Sequence, residues 1–127
     1  MLAALAGCPG LDAPSPEAES VALAFARAVV EKKPAAAYEL TADEYRRAVR
    51  FGAFEEQAQA LLPADFGPIS RVLVVRSSNM AGWKSWRPGD IGWAYVAIEG
   101  AFSQGIAVFV RNENGQPRIR QVEWGRP

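Results

Sequence analysis

The sequence predicts an α+β domain, with N-terminal helices packed on a curved antiparallel sheet of about four strands. Two patterns carry this expectation. Up to Gly67-Pro68 apolar residues recur every three or four positions, the period of a helix with one buried face. Beyond that point β-branched and aromatic residues alternate with polar ones in short runs, the period of half-buried strands. The length of 127 residues suits one modest core and not two.

The first helix starts at Ser15-Pro16-Glu17. Ser15 suits the N-cap, Pro16 the first helical position, and acids the first turn. Ala18, Val21, Ala22, Phe25 and Val29 form its apolar face, and Lys33-Pro34 ends it. A second, shorter helix is expected over 34–40. Thr41-Ala42-Asp43-Glu44 has the form of a capping box and opens a third, running to about Val49. Gly52 is expected to break that helix. Residues 54–62 then form another short helix, stopped by Pro63. Strands are expected over 70–76, 92–99, 105–111 and 118–124. Asn114-Gly115 marks a hairpin between the last two. Connections this short require antiparallel neighbours, because parallel ones need crossover helices.

Composition narrows the function classes. Lys plus Arg and Asp plus Glu each number 14, so the formal net charge is zero. That balance argues against a strongly basic nucleic-acid binder and against an acidic disordered tail. The chain has no histidine, which removes Ser-His-Asp triads and most zinc sites. Its single cysteine removes internal disulfides and thiolate metal clusters. No Gly-rich phosphate loop, nucleophile elbow or acidic metal-binding cluster appears, so no cofactor and no metal are expected. The charge is nevertheless uneven. Residues 1–67 carry 6 basic and 10 acidic side chains, whereas residues 68–127 carry 8 basic and 4 acidic. The sheet half therefore holds the positive surface, together with all four tryptophans.

Two resemblances follow from particular residues. Leu5-Ala6-Gly7-Cys8 resembles the lipobox of bacterial lipoproteins, in which small residues admit the peptidase and the cysteine thiol accepts the lipid. No Lys or Arg precedes Cys8, a departure from the usual leader. The resemblance implies a leader remnant and tether over 1–15, a domain over 16–127, and a chain anchored to a membrane of the bacterial envelope through Cys8. The alternative is an apolar N-terminus whose cysteine has no such role. No other segment approaches the ~18 apolar residues of a transmembrane helix. The second resemblance rests on Ala22, Phe25, Ala26 and Val29 of the opening helix, on Pro34-Ala35-Ala36-Ala37-Tyr38, and on the closing strands over 92–124. Together these resemble small bacterial lipoproteins of the NTF2-like (cystatin-like α+β) superfamily. The resemblance implies a sheet folded around a long helix into a cone, with an open pocket or a sheet used for dimerisation. That scaffold hosts isomerases, hydrolases and binders, so fold alone does not give the activity.

Three groups of side chains bear on function. Strand alternation places Trp93, Tyr95, Ala97 and Glu99 on one face and Ala94, Val96 and Ile98 on the other. In the next strand Ile106, Val108 and Val110 oppose Ala107, Phe109 and Arg111. In the last, Ile119, Gln121 and Glu123 are expected to oppose Arg118, Arg120, Val122 and Trp124. A face mixing aromatics with a few charges suits either a ligand surface or an ordinary solvent or dimer face. The stretch 79–90 interleaves Trp83 and Trp86 with Lys84 and Arg87, and Trp and Arg are the residues most enriched at binding hot spots. Its tryptophans either reach outward to a partner or fold back over the sheet. Glu99 and Glu123 are strand carboxylates. Either is a candidate general base if it lines a pocket, the alternative being a paired or solvated acid.

The leading expectation is an envelope binding domain without catalysis of its own. It engages a protein or a small amphipathic ligand through Trp83, Trp86, Arg87, Trp93, Tyr95 and Glu99. The rivals are an NTF2-like enzyme with a pocket carboxylate and a homodimer formed through the sheet.

Overall fold

Ser15 does at the first helix what its position predicts. Its Oγ accepts from the Ala18 amide at 3.3 Å. The same oxygen donates to the Ile91 carbonyl at 3.1 Å, which ties the helix start to the sheet. This close approach explains Gly92, since a methyl group built there would overlap Ser15 and the Ser78 carbonyl. The structure is a computed structural model that describes residues 12–125; Cys8 and its motif lie outside the described residues.

Four helices precede four strands. Helix α1 covers Pro16–Val30, α2 Pro34–Tyr38, α3 Asp43–Ala48 and α4 Phe51–Leu61, followed by a 3-10 turn at Ala64–Phe66. The strands are β1 (Ile69–Ser78), β2 (Asp90–Gly100), β3 (Ser103–Glu113) and β4 (Gln116–Trp124). They form one antiparallel sheet in the order β1-β2-β3-β4, curved and unclosed. The architecture is therefore α+β, as the two periodicities predict. Among the described residues no helix is long and apolar enough to cross a membrane.

Helix α1 packs chiefly on β1 and β2. It buries Ala18, Ala22, Phe25, Ala26 and Val29 against Ala94, Val96 and Ile98 of β2 and Ile106, Val108 and Val110 of β3. The small alanines let helix and sheet approach closely, and Phe25 fills the space between them. Its ring lies 5.9 Å from Phe54 of α4 and 5.8 Å from Trp124 of β4. Phe25 and Phe54 have no exposed surface, and removing one such ring costs about 3–5 kcal/mol. Tyr45 of α3 joins this cluster edge-on to Phe54 at 6.4 Å. Burial, reinforced by nearby Tyr38 and opposed by a hydrogen bond with Trp124, pushes the Tyr45 phenol up to about 12.

Three details depart from the sequence expectation, each for a local reason. Helix α1 ends at Val30, where Lys32 takes a left-handed conformation at φ 62° and the Lys33 amide reaches back to Ala28 O at 2.9 Å. This closes the helix before Pro34 acts. The Thr41 capping box does not form. Thr41 Oγ1 instead donates to Tyr38 O at 2.6 Å, and the Asp43 amide is met by Glu113 Oε2 at 3.0 Å from the distant β3–β4 hairpin. Gly52 does not break a helix either. It sits in the first turn of α4, where its loss of chain entropy is outweighed by the burial of Phe54, Ala58 and Leu61.

Of the register shifts in the sheet, the one in β4 overturns the alternation expected from the sequence. Val108 pairs with Val122 and Phe109 with Gln121, but Val110 pairs with Ile119, so Arg120 is an extra residue on β4. A bulge of this kind changes the parity of the strand. Ile119, Val122 and Trp124 all belong to the helix-side core, while Arg120 turns to the opposite face. Strict alternation had set Ile119 against Val122 and Trp124. The outer edge of β4 is partly covered. Ala42 donates to Ile119 O at 2.7 Å and Ile119 donates to Leu40 O at 2.9 Å.

Candidate binding surface

The face of the sheet turned away from the helices carries the candidate residues. Trp93 and Tyr95 project from β2, Ala107 and Phe109 from β3, and Arg120 from β4. Ala97, Ala107 and Phe109 are buried although they lie outside the helix-side core. The chain's own side chains account for this. Trp83 folds back from the loop 79–89, its ring 5.4 Å from Trp93 and 6.5 Å from Phe109. Arg76 of β1 lies over Trp93 at 5.9 Å. Tyr95 lies across Gly105, where a methyl group would overlap the phenol ring. An aromatic ring over a strand glycine restores the packing that the glycine lacks.

The two loop tryptophans thus take opposite roles. Trp83 covers the sheet, whereas Trp86 is 47% exposed. Trp86 is not loose: its Nε1 donates to Asp90 O at 3.3 Å. Its neighbour Arg87 has its backbone amide bound to Asp90 Oδ2 at 2.9 Å. The loop begins at Met80, a fully buried residue with φ 66° whose amide donates to Ser78 Oγ at 2.8 Å. A bulky residue in the left-handed region persists only where its surroundings fix it, so the loop is held in one shape at its start.

Its other end rests on a buried ion pair. Asp90 and Arg120 are 1% and 4% exposed at the side chain, and Arg120 Nε lies 2.6 Å from Asp90 Oδ1. Arg120 Nη2 reaches Asp90 Oδ2 at 2.7 Å and the loop carbonyl of Ser85 at 3.0 Å. The guanidinium stacks over Phe109 at 4.9 Å. All the strong contacts of this arginine are therefore internal, and they clamp the loop to β2 and β4. The bulge makes the clamp, because without it Arg120 would face the helices.

Beside the clamp lies a cleft of about 220 Å3 lined by Glu44, Arg87, Pro88, Asp90, Arg111 and Arg120. Glu44 of α3 serves two arginines there, Arg111 Nη1 at 2.6 Å and Arg87 Nη2 at 3.4 Å. Sequence reasoning singled out Arg87 but not Glu44, Asp90, Arg111 or Arg120. The available signal was charged residues on the same strand face as Phe109. The contribution of Glu44 from a distant helix had no local sign.

The remaining candidates lie elsewhere. Glu99 sits at the far end of β2, bound to Arg71 Nε at 2.7 Å on an accessible part of the sheet. Glu123 is exposed on β4. Neither lines the cleft beside the clamp. The structure brings together Trp83, Trp93 and Phe109 as a covered patch, with Trp86 and Arg87 at its rim, Tyr95 further along the sheet and Glu99 apart. Compared with family models, with curated proteins and with solved structures, the chain matches none.

Proposed function

We propose that the chain is a lipid-anchored envelope domain of NTF2-like build that binds a protein or a small amphipathic ligand. Contact is made at the rim formed by Trp86 and Arg87 rather than over the whole outer face. The observation that carries this reading is an indole 47% exposed yet fixed by its own N–H to Asp90. Leaving that apolar surface in water costs about 25 cal/mol per Å2, and a partner removes the cost without having to order the side chain.

The segment before α1 supports the same placement. Asp12 Oδ1 accepts from Ser78 Oγ at 2.5 Å, and the Asn79 amide donates to Ala13 O at 2.7 Å. The chain entering the domain is therefore stitched to the start of the loop. Cys8 precedes Asp12 by four residues, a span of at most about 14 Å. A lipid on Cys8 would keep the loop close to the bilayer, where a ligand drawn from the membrane or a membrane-bound partner is met.

The test uses the full chain expressed with its native upstream region. Replacing Cys8 with serine should move the protein from the membrane to the soluble fraction. Trp86→Ala should abolish capture of a photo-crosslinked partner or ligand while the melting temperature stays nearly unchanged. Unaltered fractionation of Cys8→Ser removes the anchor, and unaltered capture by Trp86→Ala removes the binding rim.

A further inference from the structure

The cleft beside Trp86 has more positive charge than it neutralises. Three guanidinium groups, from Arg87, Arg111 and Arg120, face two carboxylates, from Glu44 and Asp90. Arg120 and Asp90 satisfy each other through two short contacts of 2.6 and 2.7 Å and are sealed from solvent. That leaves Arg87 and Arg111 sharing the single carboxylate of Glu44.

The sharing is unequal. Arg111 holds Glu44 closely through Nη1, whereas Arg87 reaches it only at 3.4 Å with half of its side chain exposed. Arg111 Nε is buried and makes no hydrogen bond, the one such side-chain atom among the described residues. A buried donor without an acceptor costs about 1–3 kcal/mol. The cleft thus presents one uncompensated positive charge beside an exposed, anchored indole, and one of the arginines lining it keeps a buried donor unused.

We infer that this cleft binds the carboxylate of a ligand whose adjoining apolar or aromatic body rests on Trp86. The inference rests on the binding reading above and names the chemistry of its ligand. A carboxylate matches the site in two respects. Its single negative charge equals the excess, where a dianion overshoots it and meets Glu44 and Asp90 at close range. Its two coplanar oxygens suit guanidinium forks, which bind such groups in pairs. The cleft of about 220 Å3 is open to solvent, so the body of a ligand whose carboxylate sits among the arginines can extend onto the exposed face of Trp86. The same chemistry is offered by a free organic acid and by the C-terminus of a peptide.

The test titrates the isotopically labelled chain with 3-phenylpropanoate, with its neutral amide, with N-acetyl-glycyl-phenylalanine and with inorganic phosphate. Arginine Nε–H resonances and Trp86 emission report binding, the Arg111 signal being assigned by its absence in Arg111→Gln. The carboxylates should shift the Arg111 Nε–H resonance and change the indole emission, while the amide binds at least tenfold more weakly. Arg87→Gln, a change at a half-exposed side chain, should weaken the acid at least tenfold without altering the urea midpoint. Tighter binding of the peptide acid identifies a chain terminus as the source, and equal binding identifies a free acid. Equal binding of acid and amide, an unmoved Arg111 resonance, or phosphate binding tighter than either carboxylate overturns the inference. If the carboxylate arm fails while capture still depends on Trp86, this inference falls alone; if Trp86 dependence is also lost, the binding reading falls with it.

Discussion

Replacing Asp90 with alanine strands a guanidinium in the interior. Arg120 is 4% exposed at the side chain, and its two close charged contacts are both to Asp90. In Asp90→Ala it keeps the Ser85 carbonyl at 3.0 Å, a longer contact to Gln121 at 3.3 Å and the face of Phe109, none of which carries compensating charge. The Arg87 amide loses its acceptor as well. Removing one partner of a buried pair typically costs about 3–5 kcal/mol, a large share of the roughly 5–15 kcal/mol that holds a domain folded. With a urea slope of about 1.5 kcal/mol per M, a loss of about 4 kcal/mol lowers the denaturation midpoint by about 2–3 M. Equilibrium unfolding in urea, followed by tryptophan emission, measures it. Replacing both partners with apolar residues, Asp90→Leu with Arg120→Met, should recover most of the loss, because no charge is then left buried. A midpoint for Asp90→Ala within about 0.5 M of the parent would refute the argument that this pair clamps the loop in a water-free site.

The two loop tryptophans should separate in a thermal melt. Trp83→Ala, which uncovers Trp93 and Phe109, is expected to cost about 2–3 kcal/mol, whereas Trp86→Ala loses one hydrogen bond worth about 1 kcal/mol or less. Equal losses would show that both rings pack alike. Gly52→Ala should stabilise the protein by about 0.5–1 kcal/mol, since the position is helical and a methyl group there meets nothing within 4 Å; a lower melting temperature would contradict this. Tyr45 predicts an alkaline limit. Its folded value of about 12 lies above the ordinary 10, so the folded state holds the proton more tightly. The resulting stability is complete below pH 10 and is lost as pH rises towards 12, up to about 1.4 kcal/mol per pH unit. Tyr45→Phe should flatten that decline in urea midpoints measured across the range, and an unchanged slope would refute the assignment.

The fold was legible because its signals are local and repeated. Phe25 and Val29 recur at helical spacing on one face, and Asn114-Gly115 closes a hairpin whose chemistry lies within the turn. The errors in detail arose where a distant residue supplied what a neighbour was expected to supply. Glu113 reaches the Asp43 amide across the domain, leaving Glu44 free to turn towards Arg87 and Arg111. No local pattern announces such an exchange, since it depends on the β3–β4 hairpin arriving beside α3.

The bulge at Arg120 shows why the candidate surface was only half readable. Trp86 and Arg87 stand out by residue type alone. What holds them in place depends on parity, and one additional residue in β4 reverses parity for everything on one side of it. Without the bulge, a strand kept in register at Val122 and Trp124 would turn Ile119 out of the apolar helix-side core and Arg120 into it. With it, the same residue meets Asp90 on the outer face and fixes the loop that carries Trp86. The irregularity of β4 and the rigidity of the loop therefore have one cause: deleting Arg120 restores regular pairing and leaves Ile119, Val122 and Trp124 facing the helices, so it should strand Asp90 and release the loop while the core keeps its parity.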